Sequence, residues 1–488
     1  MAKKDAPKEP PSPLPSFAPP VLFFSPGFHH AAFTLGHEAN LHTSSLNPHD
    51  IPPGALITFL QKGLQYLELE VNLNDTATDL EGDFSLLTPR ELMTKTAAEL
   101  KGLVRAKKTI MEKQRAQLVS VEEKVDPEVI PEDKALALDG LNGEVFVCQW
   151  HPFSFHLGAA GGDGSARVWE LPESALEGND TATLVGHLEV AKPRRFGHAG
   201  RGAEQKDVTA LHWGPTGEHL VTGGYDGVIK LWDDDGDLRS VLEKHVGAVF
   251  TVQFAPCGTL LLSGGADSIT YVWDLEQGEV IEEYTHHKDA VLDAVWRDDS
   301  EFVSCSKDHL IQVVKRSEPG AGPTLSGHTK DVNNVRYSAD LTTIATCSDD
   351  KMVGVWNADT GTCGHLMKGH KKEVYSVAWS PPSGAGTTIA SASFDATAKI
   401  WDPERGCVLH SLARHKQAVY AVAYSPDGRS VATGSFDKTV LVWSLATGEV
   451  TRSFKTEGAI FDVQWHQSGH FLAAAGGDAL VNVLDVRV

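Results

Sequence analysis

A chain of 488 residues with 41% hydrophobic and 22% charged residues has the makeup of an ordinary globular protein, with room for two or three domains or for one large repeat array and an appendage. No uninterrupted apolar stretch approaches the roughly 20 residues that cross a bilayer, so no membrane association is expected. A net charge of −22 repels a phosphate backbone, which argues against direct sequence-specific nucleic-acid binding and for a basic protein partner.

The Lys- and Pro-rich amino terminus has no apolar signal-peptide core, so an intracellular protein is expected. Six cysteines (Cys148, Cys257, Cys305, Cys347, Cys363 and Cys407) contain no C-x-x-C pair and read as reduced packing residues. Residues 1–26 include "PKEPPSPLPSFAPP", too proline-rich to bury a core, and read as a disordered tail. Residues 27–74 read as a small α-helical region. Within "IPPGALITFLQKGLQYLELEVNL", Pro52 and Pro53 suit a helix start, and Leu56, Ile57, Leu60, Leu64 and Leu67 form one apolar face. That face fits packing in a small helical domain and fits capture of a partner helix or oligomerisation equally well. Residues 75–133 read as a polar linker whose basic cluster, Arg105 to Arg115, suits a solvated helix face or a nuclear-import signal. The segment "KALAL" at 134–138 is a short apolar strand.

From there to residue 488 the chain repeats itself. One column runs Trp169, Trp232, Trp273, Val314, Trp356, Trp401, Trp443 and Leu484; six residues before each lies an aspartate, from Asp163 through Asp226, Asp267, Asp308, Asp350, Asp395 and Asp437 to Asp478. A first aromatic column (Trp150, Trp213, Phe254, Trp296, Tyr337, Trp379, Tyr424 and Trp465) mostly precedes it by 19 residues, and the two columns hold all eleven tryptophans. A third column is histidine: His245, His287, His328, His370 and His415, with His198 displaced in the second unit. Alternating β-rich segments such as "HLVTGGYDGVIKLWD" connect the columns. This is the WD-repeat signature, and eight copies predict an all-β, eight-bladed β-propeller. "ALVNVLDVRV" stops at a third strand, so the strand at 134–138 is expected to supply the fourth and close the ring.

The spacing places each aspartate in a turn where it meets histidine and tryptophan. The expected blade networks are His198, Asp226 and Trp232; His245, Asp267 and Trp273; His328, Asp350 and Trp356; His370, Asp395 and Trp401; and His415, Asp437 and Trp443. Recurrence in blade after blade marks a framework, where an active site would be singular. With no G-x-S-x-G, P-loop or H-E-x-x-H motif, no enzyme, metal or cofactor is expected. The same register nominates the rim where the inner strands begin: aromatic Phe146, Tyr225, Phe250, Tyr375, Phe394, Tyr420, Phe436 and Phe461, and acidic Glu144, Asp207, Asp331, Asp349 and Glu373. Aromatic faces beside carboxylates suit lysine and arginine; alternatively, several of these rings plug the channel.

The segments "GFHHAAFTLGHEA", "IPPGALITFLQKGLQYLELEVNLN", "TIASASFDATAKIWDPERGCVLHSL" and "VYAVAYSPDGRSVATGSFDKTVLVW" resemble the transducin beta-like protein 1 family of transcriptional corepressors, from about residue 27 to the end. The resemblance implies a non-catalytic nuclear scaffold that works with a corepressor scaffold and a class I histone deacetylase. It also implies binding of hypoacetylated histone tails and a link to ubiquitin-dependent cofactor exchange; a substrate receptor of a ubiquitin ligase is the alternative. Family members oligomerise through an amino-terminal LisH motif. Here "PLPSFAPPVLFFSP" precedes the "GF", and its prolines exclude a helix interior, so half of that motif is missing, which argues against a homo-oligomer formed through it.

Overall fold

The computed structural model describes residues 127–172, 193–197, 207–316, 322–382 and 386–487. The apolar face from Leu56 to Leu67, the whole of the expected helical region and His198 lie outside the described residues.

Eight antiparallel sheets follow one another along the chain. Their inner strands are Val145–Trp150, Val208–Trp213, Val249–Phe254, Val291–Asp298, Val332–Tyr337, Val374–Trp379, Val419–Tyr424 and Ile460–Trp465. Each packs on the next, and the eighth packs on the first. The fourth strand of blade eight is Ala135–Leu138, antiparallel to Val481–Asp485 with Leu138 opposite Val481. Strand pairing between the two ends of this unit therefore closes the ring, and Leu138 is buried in the core that joins blades eight and one.

One boundary differs from the sequence expectation. Within the stretch that reads as linker, Glu128–Val129 pairs in parallel with Val450–Lys455 as a fifth strand of blade seven. The Ile130 amide donates to the Ser453 carbonyl (2.8 Å), and the Ile130 side chain is buried beside Val440, Ile460 and Leu484. Val129 and Ile130, flanked by Pro127, Glu128 and Pro131, are too short an apolar run to carry a period, which is why composition hides this contact.

The two aromatic columns hold the fold at two levels. First-column indoles reach across to the preceding blade: Trp150 Nε1 donates to the Gln464 carbonyl (3.0 Å), Trp296 to Gln253 (3.1 Å) and Trp379 to Arg336 (3.0 Å). In blade one the second-column indole of Trp169 donates to the Asp139 carbonyl (3.0 Å), whereas in blades three, five, six and seven it bonds within its own blade to a hydroxyl that also receives the histidine. In blade six, Trp401 Nε1 and His370 Nε2 both meet Ser391 Oγ (2.8 and 2.7 Å), while His370 Nδ1 meets Asp395 (3.0 Å). Ser263, Thr346 and Thr433 repeat this in blades three, five and seven. Blade four keeps His287, Asp308 and Ser304 around Val314, and in blade two Trp232 donates to Thr222 (2.9 Å).

The aspartate has a second task, which accounts for its place six residues before the tryptophan. Its Oδ1 accepts the amide two residues on, as from Thr397 to Asp395 (3.0 Å) and Leu480 to Asp478 (3.2 Å), forming an Asx turn that launches the tryptophan strand. The intervening residue is forced into the left-handed region in all eight blades. Glycine fills it only at Gly164 and Gly227; Ala396 (φ 65°) and Ala479 (φ 66°) hold it with a Cβ. Left-handed alanine costs roughly 1 kcal/mol, so Ala479→Gly is expected to raise stability by about 0.5 kcal/mol after the glycine entropy cost, read as a higher midpoint in urea.

Candidate functional site

Every inner strand carries a β-bulge after its first residue, as between Val145 and Val147, Val374 and Ser376, and Ile460 and Asp462. An extra, unpaired residue at a bulge is turned out of the sheet. The eight bulged residues are Phe146, Thr209, Phe250, Leu292, Asn333, Tyr375, Tyr420 and Phe461, so the nominated inner-strand aromatics occupy the positions freed from pairing, at the channel mouth.

Six of the nominated rings join in one arc. Tyr375 stacks on Phe394 (5.6 Å between centroids) and meets Tyr420 (4.2 Å); Tyr420 stacks on Phe436 (5.6 Å); Phe436 meets Phe461 edge-on (5.7 Å), and Phe461 meets Phe146 (5.8 Å). The arc spans blades six, seven, eight and one. Tyr375 is 37% exposed, while Phe394, Tyr420, Phe436 and Phe461 are half-buried with their edges at the mouth. Burial pushes the Tyr420 phenol well above its ordinary range, keeping it a neutral donor. Tyr225 (41% exposed) and Phe250 stand apart on blades two and three, with no ring contact to the arc.

The carboxylates divide in the same way. Asp331 lies 3.9 Å from both Lys307 and His309, and Asp349 accepts from Asn333 Nδ2 (2.7 Å). Among the described residues no ion pair engages Glu144, Asp207 or Glu373. Glu373 and Glu144 lie at the two ends of the aromatic arc, so that sector sets unpaired charge at both ends of a run of joined rings, whereas Asp207 on blade two has only the single ring of Tyr225 beside it.

Below the mouth runs a channel of about 740 Å³, lined by Tyr375, Tyr420 and Phe461 near the rim and by polar residues of inner-strand positions three and five beneath. These polar side chains cap backbone amides of the next blade: Gln149 accepts from the Trp213 amide (2.8 Å), Gln253 from Trp296 (2.8 Å) and Asn334 from Val377 (3.3 Å). Asp293 accepts from the Val335 amide, from Asn334 Nδ2 and from the Arg336 guanidinium. Asp462 accepts from the Cys148 amide (3.1 Å) and Gln464 Nε2 (3.3 Å), and burial raises its carboxyl to about 6. Burial pushes the His212 imidazole down to about 4, so it is neutral at pH 7. Sequence reasoning missed Asp293, Arg336 and Asp462. The available signal was the period-two pattern of the inner strands, which turns positions three and five toward the axis.

A family model described as WD domain, G-beta repeat matches residues 192–233, 236–274, 278–314, 322–357, 361–402, 406–444 and 448–485. F-box-like/WD repeat-containing protein TBL1X of Macaca fascicularis is 36% identical over 349 residues, which cover 64% of this chain and 60% of the relative. The chain thus spans about three fifths of that relative's length. WD40 repeat-containing protein HOS15 of Arabidopsis thaliana is 30% identical over 441 residues, covering 64% of this chain and 71% of that one. Among solved structures, the C-terminal WD40 domain of Sif2 superimposes with a TM-score of 0.63 at 21% identity, over 75% of this chain and all of that one (100%), a likeness of fold.

Proposed function

Because the chain belongs to the WD-repeat family, and within it to the transducin beta-like protein 1 family, we propose that it is a non-catalytic scaffold of a nuclear histone-deacetylase corepressor complex. In this reading the propeller takes basic histone tails at the sector from blade six to blade one, and the helical region at 27–74 grips a corepressor peptide. The proposed organisation is a tail (1–26), a helical region (27–74), a linker and the propeller, supporting repression and cofactor exchange. The observation that carries the reading is the continuous aromatic arc flanked by unpaired carboxylates, on a propeller whose relatives bear TBL1X names. Aromatic faces attract lysine and arginine by about 0.5–2 kcal/mol each, and the chain's charge of −22 favours approach of basic partners.

The words "F-box-like" in the relatives' names favour the second reading, a substrate-receptor subunit of a ubiquitin ligase. Affinity purification of tagged full-length protein from its own nuclear extract, with mass spectrometry at moderate salt, separates the two. The corepressor reading expects a class I histone deacetylase with a corepressor scaffold; ligase subunits without deacetylase would overturn it.

A further inference from the structure

Asp293 and Asp462 occupy the same position, the third residue, in the inner strands of blades four and eight. Their surroundings differ above all in charge. Asp293 holds the guanidinium of Arg336, whose other bond goes to the Val335 carbonyl. Asp462 has no cation: among the described residues no ion pair engages it, and its side-chain donor is a neutral amide at 3.3 Å. Among the described residues Arg336 is the single arginine or lysine lining the channel, and it is already taken. The Asp462 carboxylate is thus partly buried with no cation in direct contact, Arg336 acting on it only from a distance, an arrangement that a partner cation favours.

From this geometry we infer that Asp462 anchors the side-chain cation of a lysine or arginine that enters the channel from its mouth, passing alongside Tyr420 and Phe461. The inference rests on the rim reading above and gives it a floor. Phe461 precedes Asp462 on the strand, and Tyr420 and Phe146 meet Phe461 at 6.0 and 5.8 Å, so an entering aliphatic stem passes aromatic walls before its charge meets the carboxylate. With the Cys148 amide, Gln464 Nε2 and the Val463 amide as its donors, the carboxylate keeps acceptor capacity for an ammonium or a guanidinium. A cation bound there is specified by charge as well as shape: acetylation of a lysine removes the charge and leaves Asp462 unpaired.

Full-length protein titrated with a fluorescent lysine-rich peptide, its arginine counterpart and its fully acetylated counterpart tests this. The wild type binds one or both cationic peptides and discriminates against the acetylated one. Asp462→Asn, which keeps an acceptor for the Cys148 amide, weakens the cationic peptide by about tenfold or more. A second readout needs no variant. The other groups facing Asp462 are Arg336, Cys148 and Tyr420; burial raises the thiol and the phenol and Asp293 holds the guanidinium charged, so none of them titrates near pH 6. Wild-type affinity therefore falls as pH is lowered through about 6, beyond any fall shown by Asp462→Asn. Equal affinities of wild type and Asp462→Asn for the cationic peptides at pH 7.5, together with the same pH profile, would overturn the anchor while leaving the rim reading standing. Failure of the wild type to bind any cationic peptide would overturn both.

Discussion

Deletion of residues 134–140 is expected to lower the melting temperature by on the order of 10 °C. The segment supplies the outer strand of blade eight, and its loss exposes the far edge of Val481–Asp485. Burial of Leu138 and the half-buried Leu136 contributes about 2 kcal/mol each at most. Four ladder pairs add only about 0.3 kcal/mol apiece after the backbone entropy is discounted. A net loss of about 5 kcal/mol follows, concentrated where the ring is closed by pairing between distant parts of the chain. Deletion of residues 1–20, whose composition suits no core, is the control and is expected to leave the transition within about 2 °C. Equal losses in the two truncations, measured by calorimetry, would contradict the closure.

Trp401→Ala carries the second large effect. Trp401 is fully buried at the blade six interface with Val353, Val355 and Val374, and its indole shares Ser391 Oγ with His370. Truncation of a buried tryptophan costs about 3–5 kcal/mol through lost transfer energy and the cavity left behind. Trp401→Phe, which keeps most of the volume and gives up one hydrogen bond, is expected to cost about 1–2 kcal/mol. Urea unfolding of the two variants separates packing from hydrogen bonding.

The same network sets the acid limit. Burial acts to raise the carboxyls of Asp267, Asp350, Asp395 and Asp437, but hydrogen bonds from their histidines and from backbone amides outweigh it and hold all four below the ordinary range. A depressed carboxyl stabilises the fold above its unfolded value near 4 and loses that contribution as pH falls through its lower folded value. Stability is therefore expected to drop steeply below about pH 4, and Asp395→Asn to flatten that drop.

Periodicity carried most of the fold into the sequence. The aspartate column marks every blade because the turn carboxylate does the same work eight times, the tryptophan column marks six of them, and "KALAL" stands out as an apolar strand with no partner nearby. The hydroxyl column of Thr222, Ser263, Ser304, Thr346, Ser391 and Thr433 escaped notice although it lies four residues before each aspartate. Serine and threonine are common and add nothing to hydrophobic period; only geometry shows that they tie histidine to tryptophan. The repeat register also located the rim, because a bulge at a fixed place in every inner strand turns out one residue per blade. It did not separate the arc of Tyr375, Phe394, Tyr420, Phe436, Phe461 and Phe146 from the isolated Tyr225 and Phe250, since angular position around the ring is a property of closure. The pairing of Asp293 with Arg336, and with it the isolation of Asp462, depends on which side chains face each other across adjacent blades.

The sector of the rim from blade six to blade one is the face proposed to receive a basic tail. Binding of a lysine-rich peptide to the full-length protein, compared among wild type, a Glu373→Gln/Tyr375→Ala double variant in the arc and Tyr225→Ala outside it, tests this most directly. The double variant is expected to bind about tenfold more weakly, with Tyr225→Ala unchanged. Wild-type affinity in the double variant, or an equal loss in Tyr225→Ala, would contradict the assignment.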